Sequence, residues 1–373
     1  MPQRVPARVG DPVDAIETPA LVVDLDPFER NLDAMARATQ GIRLRPHAKS
    51  HKCAGIARMQ IARGAVGICC QKTDEAEAFV AAGIRDVLLT NEVVAPAKLA
   101  RLATLAREAT IGVLVDSPRA VPLLGAAARG ASALLDVCVE IDVGAHRCGV
   151  PPGPPALALA EAIAREPGLR FRGLHAYHGA AQHLRAPAER RAAIALAARD
   201  AQGTRELIAA AGIACDIVTG AGTGTWQHER DSGVYNELQP GSYVFMDADY
   251  MRNVADESGL RFEQSLFVLA GVMSTPAPGR AIVDAGLKAF SFDSGLPQVH
   301  PRQGADGVEY VKASDEHGVL DVDATRAPPA LGERVWLVPG HCDPTVNLYD
   351  FIVAVRDGIV AGVWPIEARG ALG

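Results

Sequence analysis

Short apolar segments rich in β-branched residues alternate with amphipathic, alanine-rich segments along the first two-thirds of the chain. The apolar segments have the length and composition of buried strands, and the amphipathic segments have the pattern of helices that cover a sheet. Asp26 followed by Pro27 predicts a helix start, with an N-cap and a proline at the first helical position. Nine strands are predicted, at residues 20–25, 42–48, 65–71, 86–91, 110–117, 134–143, 171–178, 215–222 and 238–245.

Regular alternation of strand and helix is typical of a parallel sheet, and about eight such units predict a closed (β/α)₈ barrel of the TIM type, an α/β fold. Nine strands compete for eight places, so one of them belongs elsewhere. After residue 250 the pattern changes, because strand-like segments follow one another with only turn residues between them. This pattern predicts a C-terminal all-β domain, with the boundary inside residues 247–260.

Composition and charge exclude several classes of protein. The 373 residues, 49% of them hydrophobic, suffice for two domains, and the 37 Lys and Arg against 44 Asp and Glu give a net charge of −7. No dense basic run suggests nucleic-acid binding, and no uncharged apolar stretch is long enough to span a membrane. The N-terminus lacks a signal-peptide core, and seven cysteines without a CxxC pair indicate reduced thiols. We expect a soluble cytoplasmic protein.

Polar residues cluster where the predicted barrel strands end. The carboxyl ends of barrel strands carry the functional groups of TIM-type enzymes, so these residues are the first candidates for chemistry. They are His47, Lys49, His51 and Lys52 after the second strand, Gln71 after the third, and His146 and Arg147 after the sixth, followed by Tyr177, His178 and His183 after the seventh and the loop 219–225 after the eighth.

Lys49 is the leading catalytic candidate. A lysine at the mouth of a barrel, partly buried and beside other cations, has a lowered pKa and can form a Schiff base with a carbonyl compound. A surface loop lysine is the alternative. The glycine-rich loop 220–225, which includes Gly222 and Thr223, follows a strand and offers backbone N–H groups to a phosphate. A lysine and a phosphate site on one rim suggest pyridoxal 5′-phosphate (PLP). Arg147 and Tyr177 could then face its ring.

A second group of candidates lies in the β-domain. In extended backbone, residues two apart point the same way, so His341 and Asp343 would converge on one point and Cys342 would turn away. One imidazole and one carboxylate favour Mn²⁺ or Mg²⁺ over Zn²⁺. A hydrogen-bonded turn is the alternative interpretation of this pair.

Seven motifs occur in an order that resembles one known family: RPHAKSHK, IDVGAHRCGV, GLHAYHGAAQH, TGAGTGT, ELQPGSYVFMD, VDAGLKAFSFDSG and VPGHCDPTVNLYD. Together they resemble the D-threonine aldolase and D-serine dehydratase group of PLP enzymes, whose barrel is shared with alanine racemase. The resemblance covers roughly residues 18 to 366. It implies a PLP-binding barrel at residues 26–250 and a β-domain made of residues 1–25 and 251–373, so that the first predicted strand leaves the barrel.

The resemblance also assigns roles to residues. It implies that Lys49 carries PLP, that Arg147 lies near the phenolic oxygen and that Tyr177 faces the pyridine nitrogen. Gly222 and Thr223 resemble part of the phosphate cup, and Gln71 and Tyr243 are placed with the cofactor-binding residues. His183 resembles a base beside the metal, and His341 and Asp343 resemble the metal pair.

The activity implied is retro-aldol cleavage of D-threonine and other D-β-hydroxy-α-amino acids to glycine and an aldehyde. PLP and a divalent metal would serve as cofactors, with Mn²⁺ preferred and Mg²⁺ as the alternative, and the enzyme would be a homodimer. A D-serine or D-3-hydroxyaspartate dehydratase, with zinc held by a His-x-Cys motif, is the main alternative. In this chain the cysteine stands one residue earlier, which favours the aldolase. The alternative that is not an enzyme is a PLP carrier, but such carriers lack the second domain.

Overall fold

The computed structural model describes residues 4–255, 259–302, 306–323, 325 and 327–373, which form two sheets. Each of the nine predicted segments overlaps a strand, but the last, 238–245, shares only Leu238 with its strand and continues into the 3₁₀ helix Ser242–Val244. The strands are β1 (Ala20–Asp24), β2 (Arg43–Leu44), β3 (Ile68–Cys70), β4 (Asp86–Glu92), β5 (Thr110–Val115), β6 (Leu135–Glu140), β7 (Leu169–His175), β8 (Ile217–Gly220) and β9 (Glu237–Leu238).

Strands β2 to β9 form one parallel sheet in the order β2-β9-β8-β7-β6-β5-β4-β3. The two ends of this order meet, because His47 and Cys69 form a parallel bridge and the Cys69 N–H donates to the Pro46 carbonyl at 2.9 Å. The barrel is therefore closed. Alternate strand residues face inward, and Cys69, Leu88, Leu114 and Cys138 make a separate buried cluster in the barrel interior.

Ten α-helices occur in the described parts of the chain, and those of the barrel pack outside its strands. They are α1 (Leu25–Ala38), α2 (Ala54–Ile61), α3 (Thr73–Ala81), α4 (Pro96–Leu105), α5 (Ala120–Gly130), α6 (Pro154–Arg165), α7 (Pro187–Ala210), α8 (Trp226–Asp231), α9 (Ala248–Met251) and α10 (Cys342–Val346). Helix α1 starts at Leu25 and not at Pro27 as expected. The side chain of Asp24, not that of Asp26, caps it by accepting from the Asp26 N–H at 3.2 Å. None of these helices is long and apolar enough to cross a membrane.

The second sheet contains β1 together with the strands that follow residue 265. Strand β1 pairs antiparallel with β10 and parallel with β16, so it does not join the barrel. The later strands are β10 (Leu266–Ala277), β11 (Arg280–Val283), β12 (Gln298–Val299), β13 (Val308–Ala313), β14 (Gly318–Val322), β15 (Arg334–Val338), β16 (Phe351–Arg356) and β17 (Ile359–Pro365). The domain limits 26–250, 1–25 and 251–373 stay predictions.

A β-bulge in β7 positions the residues that follow it. Val137 pairs with Phe171 but Cys138 pairs with Gly173, so Arg172 is the extra residue. Gly173 has φ +148°, and a Cβ there would lie 1.9 Å from the Ile217 carbonyl oxygen. Only glycine fits this position, and the bulge sets the direction in which β7 runs to the site described next.

Candidate active site

Lys49 lies on a short 3₁₀ helix, Ala48–Ser50, directly after β2. The side chain of His47 starts this helix by accepting from the Lys49 N–H at 3.4 Å. Lys49 lines a cavity of about 120 Å³ at the carboxyl ends of the barrel strands. The other lining residues are His47, Ser50, Gln71, Thr90, Arg147, His175, Tyr177, Ala221, Gly222, Thr223, Gln239, Gly241, Ser242 and Tyr250. Six of the seven residues predicted to hold the cofactor, Lys49 among them, thus line one cavity, and Tyr243 is the exception.

The Lys49 ammonium forms an ion pair with the Asp343 carboxylate, which lies 294 positions later in the sequence. Burial lowers the pKa of Lys49, but Asp343 outweighs it and places that pKa above its ordinary value. In the same way, Lys49 and His341 overcome burial and hold the pKa of Asp343 well below its usual range. The sequence predicts a lowered pKa for Lys49, and the structure reverses that direction because Asp343 is the nearest charge. Lys49 becomes a nucleophile only when it leaves Asp343 and loses a proton.

Lys52, the second lysine of the same motif, has a different role. Its Nζ forms a buried ion pair with Glu75 at 2.6 Å and lies 3.4 Å from the Ala368 carbonyl. Glu75 also accepts from the Gln71 N–H at 2.7 Å. Lys52 therefore fixes the backbone around the cavity, and Lys49 is the only lysine among the described lining residues.

Gln71 and Thr90 form one wall of the cavity with His47. The Gln71 amide donates to the Thr90 hydroxyl at 3.0 Å and lies 3.0 Å from His47 Nε2. Burial, reinforced by Lys49, holds the pKa of His47 well below its ordinary value. This wall is therefore neutral and offers hydrogen bonds rather than charge.

Arg147 and Tyr177 form another part of the cavity wall. The Arg147 guanidinium lies 5.8 Å from the centre of the Tyr177 ring, within the range of a cation–π contact. Burial raises the pKa of Tyr177, so its hydroxyl is protonated. A guanidinium and a phenol on one wall suit an aromatic cofactor that carries a phenolic oxygen and a ring nitrogen.

The glycine loop closes the remaining side. Thr223 Oγ1 is buried and has no hydrogen-bond partner in the described structure. Gln182 shapes the loop, since its Oε1 accepts from the Gly224 N–H at 3.0 Å and its amide donates to Thr225 at 2.8 Å. A Cβ at Gly222 would lie 2.4 Å from Gln182 Oε1, so a larger residue there would displace the Gln182 amide that shapes the loop. An unpartnered buried hydroxyl on a loop after a late barrel strand fits a phosphate group.

His183 ends the 3₁₀ helix Ala180–His183, and its side chain is about half exposed. Its Nδ1 lies 2.6 Å from Asp249 Oδ2, and its ring centre lies 5.8 Å from that of Tyr250, which lines the cavity. Arg185 donates to the other Asp249 oxygen at 2.5 Å. Burial notwithstanding, Arg185 and His183 lower the pKa of Asp249, which stays ionised. An imidazole held by a carboxylate at Nδ1 presents Nε2 outward.

The geometry expected for the His341–Asp343 segment is wrong in one respect. The segment is not extended, because residues from Cys342 onward form helix α10. Asp247 accepts from the Cys342 N–H at 2.9 Å. Pro344 suits the first helical turn because backbone N–H groups there have no partner within the helix, so the missing N–H costs no hydrogen bond. Cys342 therefore does not turn away, and its Sγ lies 3.3 Å from Asp343 Oδ1.

His341 and Asp343 are each held by neighbours that suit a metal site. His341 Nδ1 lies 2.7 Å from Asp293 Oδ2, a carboxylate–imidazole contact of the kind that orients the other ring nitrogen toward a metal. Asp343 Oδ1 accepts from the Ser242 hydroxyl at 3.1 Å. The donor set is an imidazole and an ionised carboxylate, with Cys342 fully buried beside them.

Tyr243 lies apart from the other predicted site residues. Its ring is 1% exposed and packs on Phe262 with ring centres 5.4 Å apart, and its hydroxyl accepts from Gln60 at 3.2 Å. It is not among the residues that line the cavity, whereas its neighbour Ser242 is. The cofactor role of Tyr243 stays a prediction.

Comparison with known proteins follows the same division of the chain. Residues 23–249 match the family model for the N-terminal domain of alanine racemase, and residues 265–355 match a putative serine dehydratase domain. The chain is 51% identical over 367 residues to a D-threonine aldolase from Arthrobacter sp., covering 98% of this chain and 96% of that protein. The chain belongs to the D-threonine aldolase family.

Other members of the family show the same likeness. The chain is 46% identical over 376 residues to a 3-hydroxy-D-aspartate aldolase from Paracoccus denitrificans (strain Pd 1222), covering 98% of this chain and 95% of that protein. It superimposes on the crystal structure of D-threonine aldolase from Filomicrobium marinum with a TM-score of 0.96, at 50% identity and full coverage of both chains. A D-threo-3-hydroxyaspartate dehydratase from Delftia sp. (strain HT23) is more distant, at 36% identity over 90% of this chain and 93% of that protein.

Proposed function

We propose that this protein is a PLP- and divalent-metal-dependent lyase that cleaves D-threonine and other D-β-hydroxy-α-amino acids to glycine and an aldehyde. The observation that carries the proposal is the contact between Lys49 and Asp343, because it joins the lysine of the barrel motif to the carboxylate of the His341–Asp343 motif. The aldolases among its relatives support the reaction, and their likeness over the full chain supports an enzyme over a PLP carrier.

The cavity residues would hold PLP in one orientation. Thr223 and the backbone of Gly222 would bind the phosphate, and Lys49 would hold the aldehyde carbon covalently. Arg147 would bind the phenolic oxygen, Tyr177 would face the pyridine nitrogen, and Gln71 would donate a hydrogen bond to the cofactor. When bound, PLP stores the electron pair of the bond that breaks. The role of these side chains is to fix the ring and to exclude water from it.

His341 and Asp343 would hold the divalent metal. When bound, such an ion acts as a Lewis acid toward the hydroxyl of the substrate. We prefer Mn²⁺ or Mg²⁺ to Zn²⁺ because the donors are an imidazole and a carboxylate and no thiolate. Asp293 would fix the His341 ring, and Ser242 would fix the Asp343 carboxylate.

His183 would accept the proton of the β-hydroxyl group at Nε2. Its Nδ1 is engaged by Asp249, so one tautomer is selected and the free nitrogen is the basic one. Asp249 holds the His183 ring at Nδ1, and Arg185 in turn holds the Asp249 carboxylate. Tyr250, in ring contact with His183, connects this base to the cavity.

Replacing His183 with glutamine is expected to lower turnover by about 10²–10⁴-fold, the contribution typical of a general base. Glutamine keeps a polar group near Asp249 but cannot accept the proton. PLP binding, followed by the visible absorption of the protein, should persist because His183 does not line the cavity. A variant with nearly normal turnover would make His183 an ordinary loop histidine.

Product analysis distinguishes the two reactions. D-Threonine should give glycine and acetaldehyde, and the dehydratase alternative would give 2-oxobutanoate and ammonia. D-3-Hydroxyaspartate should be assayed in parallel, because relatives named for both cleavage and dehydration of that substrate match this chain. L-Threonine is the control, since the proposal is specific for the D-configuration at Cα. Detection of 2-oxo acid without glycine would contradict the aldolase.

Two further features belong to the proposal. All seven cysteines are free in the structure and six are buried, which supports a reducing compartment and a cytoplasmic location. We also propose that the protein is a homodimer. Analytical ultracentrifugation, which measures the mass of the particle in solution, would test this directly. The substrate is a small D-amino acid, and no nucleic-acid or membrane partner is proposed.

A further inference from the structure

Gln182 is a fully buried, neutral side chain that does not line the cavity but packs against the glycine loop. Its Oε1 accepts from the Gly224 N–H at 3.0 Å. Its NH₂ group donates to the Thr225 hydroxyl at 2.8 Å and to the His178 carbonyl at 3.2 Å. The amide oxygen and both amide protons are therefore engaged, and each contact joins Gln182 to the segments that follow β7 and β8.

The groups around the Gln182 amide allow it one orientation. The Thr225 hydroxyl donates its proton to Glu229 Oε1 at 2.7 Å, so its oxygen is presented to Gln182 as an acceptor. The His178 carbonyl can only accept, and the Gly224 N–H can only donate. If the amide turned over, its oxygen would face the His178 carbonyl oxygen and its NH₂ group would face the Gly224 N–H. The amide oxygen is thus held against the loop.

The glycine loop approaches Gln182 at two of its residues. A Cβ at Gly224 would lie 2.5 Å from the main-chain oxygen of Gln182, as one at Gly222 would collide with its side-chain oxygen. Thr223 lies between these glycines and carries the buried hydroxyl that lacks a partner among the described residues. Gln182 therefore supports the loop immediately before and after the residue that would bind the phosphate.

The main chain of Gln182 connects the loop to the proposed base. Its carbonyl accepts from the Asn253 amide at 2.9 Å, and Asn253 Oδ1 accepts from Arg185 at 2.7 Å. Arg185 also donates to Asp249, whose other oxygen lies 2.6 Å from His183 Nδ1. His183 follows Gln182 directly in the same 3₁₀ helix, so these contacts form a closed ring. A displacement of Gln182 therefore displaces the imidazole with it.

We propose that Gln182 is a positioning residue, which holds the glycine loop in the shape that binds a phosphate group and couples this loop to the base His183. It acts through the backbone of Gly224 and the ring of contacts to His183. The proposal rests on the proposed function, which supplies PLP as the ligand that carries the phosphate. A phosphate bound on the loop then fixes the imidazole before the substrate arrives.

The first experiment compares the dissociation constants of PLP and of pyridoxal, which has the same ring and aldehyde but no phosphate. Gln182→Met removes the three side-chain hydrogen bonds and keeps a side chain of similar length. It should weaken PLP binding by about tenfold, the effect of one lost hydrogen bond to a charged group, and leave pyridoxal binding unchanged. Gln40→Met makes the same replacement at an exposed position and should keep both constants. Equal weakening of PLP and pyridoxal in Gln182→Met would overturn the proposal.

Thr225 allows the same test without a change at Gln182. Thr225→Val keeps the shape of the side chain but removes the hydroxyl that accepts from Gln182. It should reduce the preference for PLP over pyridoxal, and Thr225→Ser, which restores a hydroxyl, should recover most of that preference. The same preference in both variants would overturn the proposal, even if Gln182→Met fails to fold.

The second experiment follows His183 by NMR in protein that carries isotope-labelled histidine, in the absence of substrate. The signal missing from His183→Gln belongs to His183. Saturating PLP should shift this signal in the wild type, and pyridoxal should shift it less because it places no phosphate on the loop. In Gln182→Met the two ligands should give equal shifts. Equal shifts in the wild type, or a shift by PLP that Gln182→Met leaves unchanged, would overturn the coupling to the base.

Binding and product analysis together separate this proposal from the proposed function. Loss of the preference for PLP in Gln182→Met, in a protein that releases no glycine from D-threonine, would contradict the proposed function and support the role of Gln182. Release of glycine by a wild type whose preference for PLP persists in Gln182→Met would support the proposed function and overturn the role of Gln182.

Discussion

Replacing Lys49 with alanine is expected to lower turnover on the order of 10⁵-fold, as removal of the covalent group of an active site does. Lys49 is the only lysine among the described residues of the cavity wall, and Lys52 is engaged by Glu75. No other amine can therefore take its place. Wild-type protein with PLP should be yellow, should lose that colour on borohydride reduction, and should yield a labelled peptide that contains Lys49.

The matched control is Lys288→Ala, which also removes one lysine and one ion pair but does so on the surface of the β-domain. It should keep both colour and turnover. Circular dichroism establishes that Lys49→Ala is folded. A label on Lys52, or a colourless wild type that PLP cannot reconstitute, would refute the role assigned to Lys49.

Replacing Asp343 with alanine is expected to remove the bound metal and to lower turnover by about 10⁴-fold, since a catalytic metal contributes several kcal/mol. Asp343 is the carboxylate of the proposed pair and the partner of Lys49. Metal content per chain, measured by elemental analysis, should fall from near one to near zero. Chelation with EDTA should inactivate the wild type, and Mn²⁺ should restore it.

Cys342→Ala distinguishes a carboxylate site from a thiolate site. The thiol lies beside Asp343, so removing it perturbs a contact of that carboxylate but leaves both proposed ligands in place. The variant should retain its metal and its response to Mn²⁺. Loss of metal from Cys342→Ala and its retention in Asp343→Ala would favour the dehydratase alternative and zinc.

The fold could be predicted from the sequence to a large extent because each strand carries its own signal. Buried strands in a parallel sheet are apolar runs, and this signal is clear for β4, β5 and β6, whereas the two-residue strands β2 and β9 contain a charged residue each. After residue 250 the strand-like segments are residues 265–274, 280–286, 307–313, 334–341, 350–358 and 359–365. Strands β12 and β14 lie outside them, since Gln298–Val299 has two residues and Gly318–Val322 is short, begins with glycine and contains Asp321. The start of α1 was displaced because two aspartates, Asp24 and Asp26, compete for one cap.

The candidate site could be predicted less completely, because contacts between distant segments leave no local pattern. Strand ends identified Lys49, Gln71 and Arg147, but nothing near His183 points to Asp249, and nothing near His341 points to Asp293. Asp293 lies in one of the seven motifs and Asp249 lies two residues beyond another, but nothing in the sequence indicates that either pairs with a histidine. The pKa of Lys49 was predicted in the wrong direction for the same cause, since its partner lies in another domain.

The long sequence separation in the Lys49–Asp343 ion pair also determines when the site can form during synthesis. The barrel segment that carries Lys49 leaves the ribosome first, but Asp343 follows 294 residues later. At typical translation rates this interval is roughly 15 to 60 seconds. The Ala368 carbonyl, which contacts Lys52, is made later still. A nascent barrel therefore carries every described residue that lines the cavity, but its Lys49 has no carboxylate partner until Asp343 is made.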